Sequence, residues 1–143
     1  MAQRVLHAVA AGRGQGSRIE VESAGTHASA WQTTDLRALA SLARAGYEAA
    51  PQRARRVLAT DFEDFDLVLA MDNDNLIALR QRCPAAQAHK LHLWLDFAPG
   101  LEGRDVPDPY YGDEAGFDAV LRLCEAGARG VTDVIERDSS APV

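Results

Sequence analysis

Apolar residues recur at helical spacing from the second position onward. Ala2, Val5, Leu6, Val9 and Ala10 share one face, so the chain is expected to open inside a helix. Gly12-Arg-Gly-Gln-Gly16 then reads as a glycine-rich connection. Arg18-Ile-Glu-Val-Glu-Ser23 alternates apolar and charged residues, and a period of two predicts a strand. Thr34 stands as the N-cap of a helix that carries Leu36, Leu39, Ala40 and Ala43, with Gly46 as its stop. Thr60-Asp-Phe-Glu63 has the capping-box pattern and predicts a short helix burying Phe62 and Phe65. The continuous apolar run Leu67-Val-Leu-Ala-Met71 reads as a strand covered on both faces. Asp72 caps a helix reaching about Arg82, which Pro84 ends, and Leu91-His-Leu-Trp-Leu95 is a further strand. Residues 96–112 carry Pro99, Gly100, Gly103, Pro107, Pro109 and Gly112, and a segment of that length without regular structure is usually functional or disordered. The last helix runs from about Asp113 to Arg137 with Phe117, Val120, Leu121, Cys124, Val131 and Ile135 inward, although Gly127 and Gly130 weaken its later turns.

Helices alternating with strands predict an α/β fold with a parallel sheet. At 143 residues the length suits one domain, placed at 1–137, followed by a polar, flexible tail at 138–143. Hydrophobic residues at 47% and charged residues at 25% exclude a disordered chain. A net charge of −6 works against a nucleic-acid partner, whose backbone needs a basic face. No run approaches the length of a membrane span, and no signal sequence is read at the start. Two cysteines, Cys83 and Cys124, are too few for a disulfide scaffold or a four-cysteine zinc site. A soluble, single-domain, cytoplasmic protein is therefore expected.

Three short stretches are candidates for chemistry. In Val106-Pro-Asp-Pro-Tyr-Tyr-Gly112 the carboxyl of Asp108 lies between two prolines on a stiffened backbone, followed by two aromatics. Such a group can deliver a proton to a leaving oxygen, although Asp-Pro is also ordinary turn chemistry. Ser23-Ala-Gly-Thr26 leaves the first predicted strand at its carboxyl end, where parallel α/β sheets bind ligands, and is equally a tight strand exit. Met71-Asp72-Asn73 ends the next strand, with helix capping sufficient to explain Asp72.

Taken in order, Ser23-Ala-Gly-Thr-His27, Asp35-Leu-Arg37, Asp61-Phe62, Phe65-Asp-Leu-Val-Leu-Ala-Met-Asp72, Asn75-Leu76, Leu95-Asp-Phe-Ala-Pro99 and Val106–Gly112 resemble the low-molecular-weight protein-tyrosine phosphatases. The resemblance spans residues 1 to about 130. It implies a four-stranded parallel sheet with helices on both faces, and metal-free hydrolysis of phosphotyrosine on protein substrates through a cysteinyl-phosphate intermediate. In the family a thiolate within a Cys-x5-Arg-[Ser/Thr] loop attacks phosphorus, and the loop arginine clamps the phosphoryl oxygens. The resemblance implies that Asp108 is the proton donor and that Tyr110 and Tyr111 line the pocket mouth. Trp31 stands in a stretch one residue shorter than the family's, where it either walls the substrate ring or covers core surface.

The departure from the family lies in the nucleophile. Six residues after Cys83 stands His89, and Arg129 follows Cys124 at one residue short of the required spacing. The family's first strand and phosphate loop are expected to precede Met1, which makes the sequence read as truncated at its N-terminus and inactive as it stands. A misplaced start would produce this, and a degenerate, non-catalytic paralogue that binds a partner is the second reading. Arsenate reduction, known on a similar fold, needs resolving cysteines near the loop, and neither Cys83 nor Cys124 is placed for it.

Overall fold

The structure is a computed structural model that describes residues 1–26, 35–50, 55–108 and 114–140. Five α-helices and two strands follow one another along these residues: α1 (Ala2–Gly12), α2 (Leu36–Arg44), the single turn α3 (Asp61–Asp64), β1 (Val68–Ala70), α4 (Asn73–Arg82), β2 (Leu91–Leu93) and α5 (Glu114–Ser140). Two 3-10 segments, Ala85–Lys90 and Trp94–Phe97, flank β2. The result is the small α/β domain with a parallel sheet that the alternating pattern predicts. No helix among the described residues is long and apolar enough to cross a membrane.

β1 and β2 run parallel, Val68 opposite Leu91 and Ala70 opposite Leu93, with α4 as the crossover. Side chains alternate across this small sheet. Ala70, Leu91 and Leu93 join Phe62, Leu76 and Leu79 in one buried cluster, with Val68 at its margin. Leu67, Leu69 and Met71 point to the other side, against the larger core of Val5, Leu6, Leu42, Trp94, Leu95, Val120, Leu121, Cys124 and Val131. β1 therefore does serve two covered faces, yet Val68 and Leu69 remain only half-buried. Among the described residues the sheet has only these two strands, so β1 has a single ladder partner.

Four local expectations need correction. Residues 18–23 form no strand: among the described residues the backbone there has no ladder, and the only pairing nearby is an isolated parallel bridge between Gly25 and Arg56. Alternation predicts which way side chains point, but a strand also needs a neighbour. Asp35 caps α2, its carboxylate accepting from the Arg37 amide at 2.8 Å, one position later than Thr34, which lies outside the described residues. Thr60 begins α3 with helical backbone angles and makes no side-chain cap, since an N-cap hydroxyl reaches back only from extended backbone. Strand β2 stops at Leu93, not Leu95, because Asp96 accepts from the amides of Leu93 (3.2 Å) and Gly103 (2.9 Å) and turns the chain into a 3-10 segment.

Other boundaries match. Gly46 adopts φ +86°, and the Tyr47 and Gly46 amides return to the Leu42 and Ala43 carbonyls, a Schellman ending. α5 runs without interruption to Ser140, three residues past Arg137. Its glycines are places of contact: a Cβ at Gly127 would meet the Trp94 indole, and one at Gly130 would meet the Phe97 carbonyl. Small residues let the helix lie directly on the 3-10 segment after β2.

Candidate active site

The carboxyl end of β1 gathers three segments that are distant in sequence. Asp72, immediately after the strand, caps α4 by accepting from the Asn75 amide at 2.7 Å. Asp105 reaches the same helix end from the long loop, its carboxylate accepting from the Asn73 amide (2.8 Å) and side chain (2.7 Å). Two carboxylates at a helix N-terminus suit the positive end of its dipole. One residue on, the Val106 amide donates to the Met71 carbonyl at 2.8 Å, and the Val106 side chain is buried in the larger core. The loop is thereby pinned at two consecutive residues, and Asp108 follows two positions later with its side chain exposed. This part of the predicted 96–112 loop is held in place by its own polar groups, with Gly100 and Gly103 supplying left-handed turns.

Ser23–Thr26 approaches from the other side. Thr26 Oγ1 accepts from the Asn75 side chain at 3.3 Å, so α4 touches both loops through its first turn. Gln3 on α1 bridges the segment before it. Its amide nitrogen donates to the Val21 carbonyl (3.1 Å), while its oxygen accepts from the Ser23 hydroxyl (2.7 Å). Only a group with both donor and acceptor can make that pair of contacts. Gly25 is gripped through its backbone, donating to the Arg55 carbonyl at 2.8 Å and accepting from the Val57 amide at 3.2 Å.

Of the residues named from sequence, Asp108 thus follows a loop segment anchored to the end of β1 and the start of α4. Tyr110, Tyr111 and Trp31 lie outside the described residues. Both cysteines are remote in function. Cys124 is 1% exposed in the larger core, and burial pushes its thiol up to about 11, the behaviour of a packing residue. Cys83 caps the C-terminus of α4, about 15 Å along a ten-residue helix from the end that faces the site. Its thiol donates to the neighbouring Pro84 carbonyl at 3.4 Å.

Sequence reasoning missed Gln3, Arg55, Asp61 and Asp105. Asp105 carries a faint signal, a carboxylate next to an apolar residue and Pro107 within a loop. The others act across long sequence gaps or within an irregular segment, where no periodicity marks them.

Comparison with known proteins identifies the family and the fold. A sequence profile of the family described as low molecular weight phosphotyrosine protein phosphatase matches residues 1–141. A putative low-molecular-weight protein-tyrosine-phosphatase of Synechocystis is 39% identical over 126 residues, covering 87% of this chain and 80% of that protein. The low-molecular-weight protein-tyrosine-phosphatase of Streptomyces coelicolor is 37% identical over 137 residues, covering 92% and 82%. A crystal structure of a protein tyrosine phosphatase from Entamoeba histolytica, with Hepes in its active site, superposes with a TM-score of 0.90 at 31% identity, covering 96% of this chain and 88% of that one. The chain belongs to the low-molecular-weight phosphotyrosine protein phosphatase family, whose members are hydrolases.

Proposed function

We propose that these residues form the acid-bearing body of a protein-tyrosine phosphatase and that Asp108 is its proton donor. The observation that carries the reading is the double anchor of the Asp105–Val106 loop to α4 and β1, which holds the Asp108 backbone at the carboxyl edge of the sheet. There the carboxyl can hand a proton to the leaving oxygen of a bound phosphate ester. As thiolate attacks phosphorus and the P–O bond breaks, that proton passes to the tyrosyl oxygen, which leaves as neutral phenol. In the second half Asp108, now a carboxylate, takes a proton from the water that attacks the cysteinyl phosphate, and phosphate is released. Tyr110 and Tyr111, with Trp31, supply aromatic walls for the substrate ring.

The nucleophile must come from a Cys-x5-Arg segment outside these 143 residues, because neither Cys83 nor Cys124 begins such a motif. On their own, the 143 residues are inactive in this reading. The same observation favours a second reading, a non-catalytic relative that binds a phosphoprotein or another partner. Free thiols at Cys83 and Cys124 are in keeping with a cytoplasmic location.

Intact mass and N-terminal sequence of the protein purified from its host separate the two. A mass above 15.4 kDa with a Cys-x5-Arg segment, and metal-independent hydrolysis of aryl phosphates, supports the phosphatase. In that protein Asp108→Asn should slow turnover of an aryl phosphate with a poor leaving group by about 10²–10⁴-fold. It should spare substrates whose leaving group needs no proton. An unchanged rate with the poor leaving group would remove Asp108 from the acid role. A product of 15.4 kDa that hydrolyses nothing leaves the binding reading.

A further inference from the structure

We propose that Arg55 and Asp61 are positioning residues for the site: their ion pair fixes the backbone bridge that sets where the Ser23–Thr26 loop stands. The proposal rests on the phosphatase reading and adds to it a pair whose role no sequence motif indicates.

Asp61 opens α3 and is 9% exposed. Its carboxylate accepts from Arg55 Nη1 (2.9 Å), Arg55 Nη2 (3.1 Å) and the Leu58 amide (2.8 Å), a two-pronged guanidinium contact completed by a backbone donor. The same guanidinium has two further contacts. Nη1 donates to the Arg56 carbonyl at 3.0 Å, and Nη2 donates to Glu22 at 3.0 Å. Arg55 therefore braces its own backbone against α3 while holding the residue that precedes Ser23. That braced backbone is the one that pairs with Gly25, through the Arg55 carbonyl and the Val57 amide. Glu22 and Gly25 bracket Ser23 and Ala24, so the clamp grips the loop on both sides of its hydroxyl. Gln3 and Asn75 complete the hold from α1 and α4.

Stability alone is a weak reason for such a pair. Taking a carboxylate and a guanidinium out of water costs about as much as their attraction returns, and apolar replacements often do as well. What a forked pair supplies that an apolar contact does not is a fixed direction. Here that direction passes into a stretch that has no strand ladder to define its position.

The test uses the catalytically competent protein from its host. Arg55→Lys keeps the charge and loses the fork, and Asp61→Asn keeps the shape and loses the charge. Both should raise KM for an aryl phosphate and Ki for inorganic phosphate together, by about tenfold, with kcat changed less than about threefold. The Gly25 amide should exchange with solvent faster in both variants while α5 amides keep their protection. Val131→Ala, matched to the same fall in melting temperature from within the larger core, should leave KM and Ki in place. KM and Ki that follow melting temperature alike in all three variants would overturn the proposal, as would an unmoved Gly25 amide. If the unaltered protein hydrolyses no aryl phosphate, the phosphatase reading falls and the clamp's role in it falls too. The Gly25 exchange still shows separately whether the clamp itself exists.

Discussion

The two faces of the β1–β2 sheet are built on different terms. Beneath α1, α2 and α5 lies a deep core in which Val5, Leu42, Leu95 and Ala128 have no exposed surface, sealed by the contact of Gly127 and Gly130 with the 3-10 segment after β2. On the other face, α3 and α4 cover a smaller cluster around Phe62, Leu76 and Leu79, and polar groups do much of the locating. Lys90 closes α3 by donating to the Phe62 and Glu63 carbonyls, Arg55 grips Asp61, and Asp72 and Asp105 share the start of α4. Apolar burial is strong but has no direction, whereas hydrogen bonds are weak in net terms and directional. The division places most of the apolar burial on one face, and the candidate site, at the carboxyl edge of the sheet, takes polar anchors from α3 and α4 as well as Gln3 and Val106 from the deep side.

Truncating leucines on the two faces tests this most severely. Leu95→Ala, with no exposed surface and dense surroundings, should cost about 4 kcal/mol, while Leu76→Ala, at the edge of the smaller cluster, should cost about 2 kcal/mol. Urea denaturation of each variant gives both values. Equal costs, or the reverse order, would break the comparison.

The glycines of α5 sharpen it. An alanine in a helix is ordinarily favoured over glycine by about 1 kcal/mol. At Gly130 the added methyl would run into the Phe97 backbone carbonyl, which cannot yield alone, so Gly130→Ala should be destabilising by about 3 kcal/mol. At Gly127 the obstacle is the Trp94 ring, whose buried indole N–H has no acceptor among the described residues to hold it. That ring is itself packed in the larger core and yields only by displacing its neighbours, so Gly127→Ala should cost about 2 kcal/mol, less than the backbone clash at Gly130. Thermal denaturation of the two variants would show whether helix and sheet touch through rigid backbone at one position and a packed side chain at the other.

These glycines also mark where the sequence could and could not be read. A mid-helix glycine signals either a weak helix or a close approach, and only the neighbouring chain decides which. α4 was legible because its determinants are local: Asp72 before the first turn, Pro84 after the last. The inward stripe of α5 was legible because periodicity survives whatever packs against it. Residues 18–23 and 94–95 misled for a shared reason. Their apolar patterns fit a strand, but no ladder partner stands beside the first among the described residues, and the Asp96 carboxylate turns the second. The loop bearing Asp108 was recognised from Asp-Pro-Tyr-Tyr, yet its anchors were invisible. Asp105 meets Asn73 across 32 positions, and Gln3 meets Ser23 across 20. Contacts of that kind leave no period in a sequence.

The smallest expected effect concerns a polar contact on the deep side, where the comparison predicts that hydrogen bonds matter least. The Tyr47 hydroxyl, just after α2, donates to Glu125 on α5 at 2.6 Å. Burial, followed by this contact with a carboxylate, pushes the phenol up to about 12, against about 10 for a free tyrosine. Because the folded state holds the proton more tightly than the unfolded chain, the resulting stability is complete below pH 10. It is lost as pH rises through about 12. The ring is only half-buried, so solvent screening limits the loss to about 1 kcal/mol. The buried Cys124 thiol, at about 11, adds a loss of the same sign beginning nearer pH 9. Denaturation between pH 9 and 12 should therefore show a declining stability. Tyr47→Phe should flatten the part above pH 10 while leaving the earlier fall in place. A Tyr47→Phe profile parallel to that of the unaltered protein would mean that the phenol–carboxylate contact adds nothing to what the α2–α5 packing already fixes.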